Sequence, residues 1–205
     1  MKNCKKLIAL CLALATIFSF TVFASAAGTD ISASGDSASA SVNLSSTVDG
    51  SLTGDPAPTA MSVTVPTVLP IAVGTDGTVT TATDAKIVNN SYGAVRVASV
   101  TLEAAGGWRL TAFGNKSSLA NEKVDSNKLG FSITLGNGAA KNTIAGSSTS
   151  QQLLSAPETG CYMSGVGDAA RNSVSVKYDA IVTPVSKAVT NTGIAAVLFV
   201  VEWDI

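Results

Sequence analysis

Residues 173–183 read SVSVKYDAIVT, in which valine and tyrosine alternate with serine, lysine and aspartate until Pro184 ends the run. A side-chain period of two is the pattern of a β-strand that rests one face on a core. The same period recurs in residues 61–65, 95–102 and 129–135, and Gly, Asn or Pro turns separate these stretches. Residues 194–205 are apolar on both faces, as in a central strand. The sequence therefore predicts an all-β fold, a single antiparallel β-sandwich of the immunoglobulin-like or Greek-key type with roughly eight to ten strands.

The first residues of the chain have the order of a secretory signal peptide. Three lysines in residues 1–6 precede an apolar run over residues 7–23, and Ala24-Ser25-Ala26 follows as a small-x-small cleavage site. We expect residues 1–26 to be removed and the remainder to be secreted, extracellular or associated with the cell wall. After that removal the longest apolar run has only eight residues, so the sequence predicts no membrane span.

Composition divides the rest of the chain into two parts. Residues 27–59 are rich in Ser, Ala, Gly and Asp, and we interpret them as a flexible leader. Within them, residues 37–45 alternate small apolar and polar side chains and form a candidate strand, either of this domain or of a neighbouring molecule. Residues 60–205 form the predicted sandwich domain.

The net charge and the residue types that the chain lacks exclude several classes of function. Removal of residues 1–26 takes away three of the 13 basic side chains and none of the 14 acidic ones, which leaves a net charge of −4. Nucleic acid is therefore not expected as a partner, because it requires concentrated positive charge. The chain has no histidine, which excludes histidine-based nucleophile activation and the usual zinc sites. We expect no enzyme activity, no metal and no cofactor.

The two tryptophans are the strongest functional signal. They lie in two similar four-residue motifs, which we call the Trp words: Gly-Trp-Arg-Leu at residues 107–110 and Glu-Trp-Asp-Ile at residues 202–205. Large aromatic side chains in a small sandwich are commonly core anchors, and this interpretation stays open. Both words sit in a charge-poor exported β-domain, and this layout resembles the WxL surface domains of Gram-positive bacteria. The stretch from Met61 to Leu110, with Val-Thr-Val-Pro at 63–66 and Ala-Lys-Ile-Val-Asn-Asn-Ser at 85–91, is similar to a class of clostridial secreted proteins. The resemblance implies non-covalent attachment to peptidoglycan, with Trp108, Leu110 and Trp203 as binding or anchor residues.

Other motifs carry weaker signals. Ala-Pro-Glu-Thr-Gly at residues 156–160 looks like a sortase signal, but strands and an acidic end follow it, so we interpret it as a loop. Cys161 is the one cysteine left after signal removal and lacks a neighbouring base that would activate a thiol. Asp76 and Asp84 flank a hairpin-like segment, where turn residues explain them as well as a weak ion site does.

Three functions follow as alternatives. The preferred prediction is a secreted, non-enzymatic structural or binding protein of the cell surface, whose partners are peptidoglycan, other surface proteins or copies of itself. The second is a subunit of an extracellular fibre in which residues 37–45 add a strand to a neighbour's sheet. The third is a secreted hydrolase that uses a carboxylate pair from Glu103, Glu122 and Glu158.

Overall fold

The computed structural model describes residues 28–34, 37–41, 60–74, 78–146, 148–188 and 190–205. Within these ranges the chain forms fourteen β-strands and a single short helix, and its two main sheets pack on one shared hydrophobic core. The predicted all-β, antiparallel sandwich is thereby confirmed. No helix in the ranges described is long and apolar enough to cross a bilayer.

The larger sheet has seven strands. Its spatial order is β1 (Gly28–Ser34), β3 (Ala60–Pro66), β6 (Lys86–Asn89), β13 (Ser173–Val182), β9 (Lys128–Leu135) and β10 (Lys141–Asn142), and β8 (Arg109–Leu110) also pairs with β9. All of these pairings are antiparallel except that of β8 with β9. Neighbours such as β6 and β13 are far apart in sequence, so the chain crosses between sheets as in Greek-key sandwiches.

The second sheet has five strands. Its order is β11 (Ser150–Leu154), β7 (Val95–Ala104), β14 (Ala195–Trp203) and β2 (Ser37–Ser41), and β12 (Tyr162–Met163) pairs with the start of β7. A separate hairpin joins β4 (Ile71–Val73) to β5 (Val79–Thr81). Strand β14 lies between β7 and β2, which agrees with its apolar sequence on both faces.

The core lies between the two main sheets. Alternate residues of β13 point into it, and residues of β7 and β14 face them from the other sheet. The register of β7 against β14 shifts where Val200 and Val201 pair with Ser99 and Val97. Because of this bulge, two consecutive residues of β7, Ala98 and Ser99, are not buried. After them, buried and less buried side chains alternate again along the strand. The longest buried side chains include Phe199, Met61, Ile87 and Leu102.

The structure differs from the sequence-based expectation in its number of strands. Five of the fourteen strands have only two or three residues, so the count exceeds the eight to ten predicted. In residues 108–113 the ladder covers only β8, and beyond it the N–H groups of Thr111 and Phe113 donate to the carbonyls of Leu129 and Thr143. Residues 114–128 include the one-turn helix α1 (Lys116–Ala120). One turn is too short to produce a visible 3.6-residue period.

The segment interpreted as a flexible leader contributes strands to both sheets. Strand β1 pairs with β3 along its whole length, and β2 pairs with β14 from Ser37 to Ser41. The candidate strand at residues 37–45 thus coincides with β2 over its first five residues, and residues 42–45 lie outside the described ranges. The signal peptide at residues 1–26 also lies outside them.

Candidate binding surface

The two tryptophans lie at opposite ends of β7. Trp203 pairs with Val95 at the first residue of β7, whereas Trp108 follows the last residue, Ala104, after a Gly106-Gly107 turn. A ten-residue strand separates its ends by about 30 Å. The two Trp words therefore do not form one site, although their sequences are alike.

The three candidate residues, Trp108, Leu110 and Trp203, pack in or against the core. Leu110 is fully buried, so no ligand in solvent can reach its side chain. The rings of Trp108 and Trp203 are partly buried against the same core cluster. A Cβ placed at Gly93 would lie 2.9 Å from Cζ3 of Trp203, so this glycine lets the indole close the end of the sandwich. The geometry shows that these residues pack against the core, and their role as binding or anchor residues stays a prediction.

Exposed and partly exposed side chains lie at the Trp203 end of the second sheet, on β7, on β12 and in the loops beside them. Tyr162 lies opposite Arg96 in the β12–β7 pair, so the two side chains share a face. The N–H of Val166 donates to the carbonyl of Ser91 at 2.8 Å, which holds Val166 next to Tyr92. Tyr92 and Tyr162 are each 48% exposed and Val166 is 41% exposed. We call Tyr92, Arg96, Tyr162 and Val166 the tyrosine surface.

The guanidinium of Arg96 is fixed by two carboxylates, that of Glu202 in β14 and that of Asp204 just after it. Its Nε donates to Oε1 of Glu202 at 2.8 Å and its Nη1 donates to Oδ1 of Asp204 at 3.0 Å. These bonds, that to Glu202 foremost, raise the pKa of Arg96 above its ordinary value. A guanidinium has five N–H donors, so the pairings leave it further donors for a ligand or for water. The side chain is held in place yet keeps its capacity to recognise oxygen atoms.

A buried asparagine holds the two loops of this end together. The side chain of Asn89 is fully buried, and its Nδ2 donates to the carbonyls of Gly93 at 2.8 Å and Ser164 at 2.9 Å. Its Oδ1 accepts from the N–H of Ser91 at 2.9 Å. The loops are in such close contact that a Cβ at Gly165 would lie 2.0 Å from the carbonyl oxygen of Tyr92. Asn89 therefore fixes the position of the loop that contains Gly93 relative to the loop that contains Ser164.

The third tyrosine of the chain has a different role. Tyr178 is buried in β13, and its hydroxyl donates to the carbonyl of Pro70 at 2.7 Å and accepts from the N–H of Ala82 at 3.1 Å. Burial raises its pKa. Two of the three tyrosines in the protein thus serve the exposed surface, and the remaining one joins the β4–β5 hairpin to the core.

The other candidates from the sequence are dispersed. Glu122 pairs with Lys128 at 2.9 Å, Glu158 pairs with Lys141, and Glu103 is exposed on β7. In the part of the chain that the structure describes, no three Cys, Asp or Glu side chains come together as a metal site. Asp76 lies outside the described residues, and Asp84 borders an open depression on the outer face of the larger sheet.

Cys161 and the sortase-like residues lie between β11 and β12. Residues 156–160 form a turn in which the N–H of Cys161 donates to the carbonyl of Glu158 at 3.0 Å. The thiol of Cys161 is buried, and burial raises its pKa. It borders a cavity of about 10 Å³, which is the volume of a single water site. The thiol is thus neutral and shielded at ordinary pH.

No family model, curated protein or solved structure matches this chain. The resemblance to WxL surface domains accordingly remains a prediction from the residues.

Proposed function

We propose that this chain is a secreted, non-enzymatic protein of a Gram-positive cell surface that binds the glycan of the cell wall through the tyrosine surface. The observation that carries the proposal is the half-exposed Tyr162 opposite the fixed guanidinium of Arg96, with the half-exposed Tyr92 in the loop that leads into β7. Export is supported by the signal peptide that the sequence predicts. Attachment to the wall is supported by the layout that resembles WxL domains.

The chemistry of the surface suits a saccharide. A sugar ring has an apolar C–H face and a rim of hydroxyl groups. Tyrosine presents an apolar ring with a polar tip, so it can cover that face while its hydroxyl remains hydrated or bonded. Arg96 supplies donors, and the remaining oxygens of Glu202 and Asp204 supply acceptors, for hydroxyl groups at the rim.

The composition of the surface also fits a recognition role. Tyrosine and arginine are the residues enriched at binding interfaces, where a few of them carry most of the affinity. Exposed apolar groups that cluster on a folded domain commonly mark an interaction site. Because the tryptophans pack against the core, we assign them to the stability of this end of the domain and the tyrosines to contact with the wall.

The proposal is tested by co-sedimentation of the mature chain, residues 27–205, with purified peptidoglycan. We expect the wild type to pellet and the double variant Tyr92→Ser, Tyr162→Ser to stay in the supernatant. If each ring contributes like an interface hot spot, each single substitution weakens binding about tenfold or more. The matched control is Ile144→Ser, which removes a 70% exposed apolar side chain from another loop and should bind like the wild type.

Two outcomes would contradict the proposal. Full recovery of the wild type in the supernatant would rule out wall binding. Equal pelleting of the wild type and the double tyrosine variant would show that binding occurs on another surface. Circular dichroism of each variant establishes that the fold is intact, which we expect because the replaced side chains are exposed.

A further inference from the structure

Residues 28–41 supply an edge strand to both main sheets. Strand β1 lies at the edge of the larger sheet against β3, and β2 lies at the edge of the second sheet against β14. Only residues 35 and 36 separate the two strands in sequence. One short segment therefore covers an open edge of each sheet.

The edge that β2 covers belongs to a strongly apolar strand. Strand β14 reads AAVLFVVEW and has Glu202 as its only charged residue. Its other edge is already paired with β7. A long apolar edge strand without a cover is a template for pairing with other chains, so folded proteins cover or charge such edges. Here the cover, β2, comes from the segment that precedes residue 60 in the sequence.

The sequence of β2 allows the same strand of another copy of the chain to take its place. Strand β2 reads SASAS, without a side chain larger than that of serine. Pairing through such a strand depends on the backbone ladder, which any copy of the segment provides equally well. Cleavage after Ala26, which the sequence predicts, would place β1 and β2 at a free chain end. A terminal segment can leave and re-enter a sheet without threading a loop.

The connection to the domain is longer than pairing within one chain requires. Ser34 lies opposite Ala60, so Ser41, seven residues further, is at most roughly 30 Å from Ala60 of the same chain. Residues 42–59 join these two positions and can span roughly 60 Å when extended. The same segment can therefore reach the β14 edge of a neighbouring molecule.

We infer that residues 28–41 are exchanged between copies of this chain, so that β2 of one molecule completes the β14 edge of the next. The occupant of the β14 edge is thus a second copy. Donor segment and acceptor edge are different surfaces, so one-way exchange gives a contact that does not close and extends into a filament. This inference goes beyond wall binding and does not depend on it.

The test uses disulfide trapping across the β2–β14 register, in the mature chain with Cys161→Ala. Ser39 lies opposite Val200, and opposed residues of an antiparallel pair are within disulfide reach. One chain carries Ser39→Cys, and a second chain with a C-terminal fusion of different mass carries Val200→Cys. The two are refolded together from urea at increasing concentration and oxidised with glutathione disulfide. The control acceptor is Lys177→Cys, an exposed position on the other sheet.

We expect a non-reducing gel to show a band at the sum of the two masses, absent with the Lys177→Cys partner and increasing with protein concentration. Electron microscopy of the wild type should then show filaments that are lost when residues 27–59 are deleted. The inference is overturned if the mixed band never exceeds the control while a single chain carrying both Ser39→Cys and Val200→Cys closes on itself. It is also overturned if that double variant forms no disulfide either within a chain or between chains, because β2 would then not lie on β14.

Discussion

Replacement of Asn89 by alanine should loosen the end of the sandwich that carries the tyrosine surface. The substitution removes three hydrogen bonds, those to the carbonyls of Gly93 and Ser164 and to the N–H of Ser91. Ser91 is fully buried, so its N–H would remain without a partner, whereas the two carbonyls are less buried and can bind water. An unsatisfied buried group costs about 1–3 kcal/mol. With a smaller cost for the two carbonyls, we expect a loss of about 3 kcal/mol in the free energy of unfolding.

Urea denaturation followed by tryptophan fluorescence measures this loss. At an m value of about 2 kcal/mol/M, the midpoint should fall by about 1.5 M. The matched control is Asn90→Ala, which removes one bond from Nδ2 to Oγ1 of Thr64 at 2.9 Å. Its effect should stay below about 1 kcal/mol. A loss under about 1 kcal/mol for Asn89→Ala, or equal losses for both variants, would refute the view that Asn89 holds the two loops.

Three further predictions concern packing and pH. Gly93→Ala should destabilise the fold by about 1–3 kcal/mol because its Cβ would meet the ring of Trp203 at 2.9 Å, and thermal melting should show no comparable loss for Gly167→Ala, where space is open. Leu110→Ala should cost about 3 kcal/mol in the same assay because the side chain is fully buried, while its folded fraction pellets with peptidoglycan like the wild type; selective loss of binding would contradict a packing role. Burial raises the pKa of Cys161 above its ordinary value of 9.0, so the stabilising contribution of the protonated thiol is complete below that value and is lost as pH rises through the folded pKa. Urea midpoints should therefore fall less on alkalinisation in Cys161→Ala than in the wild type, and identical pH profiles would count against a buried thiol.

The regular strands were predictable because one face of each rests on a common core. The alternation in residues 173–183 reappears as alternating burial in β13, and the apolar run at the C-terminus becomes β14 between two neighbours. The two- and three-residue strands were not predictable in the same way. β8, β10 and β12 exist only because a longer strand lies beside them, and two residues contain no period.

The binding surface was less accessible to sequence reasoning. The prediction of Trp108 and Trp203 rested on their size and rarity, and the structure shows both rings partly buried against the core. The segments that carry Tyr92 and Tyr162 lie at the same end of the second sheet because β12 pairs with β7 and because Asn89 bridges to Ser164, 75 residues away. Such an arrangement depends on long-range register, which local patterns do not encode. The sequence offered one modest signal, a tyrosine within the turn-forming stretch Asn-Asn-Ser-Tyr-Gly at residues 89–93, in a chain that has only three tyrosines.

The central claim, that this protein recognises a wall glycan at the tyrosine surface, is tested most directly by NMR titration. The isotope-labelled mature chain is titrated with soluble glycan fragments released from peptidoglycan, and amide shifts are mapped onto the structure. Shifts confined to residues 91–96 and 162–166 are the predicted result. Shifts centred on Trp108 at the other end of β7, or no shifts at saturating fragment, would contradict the account.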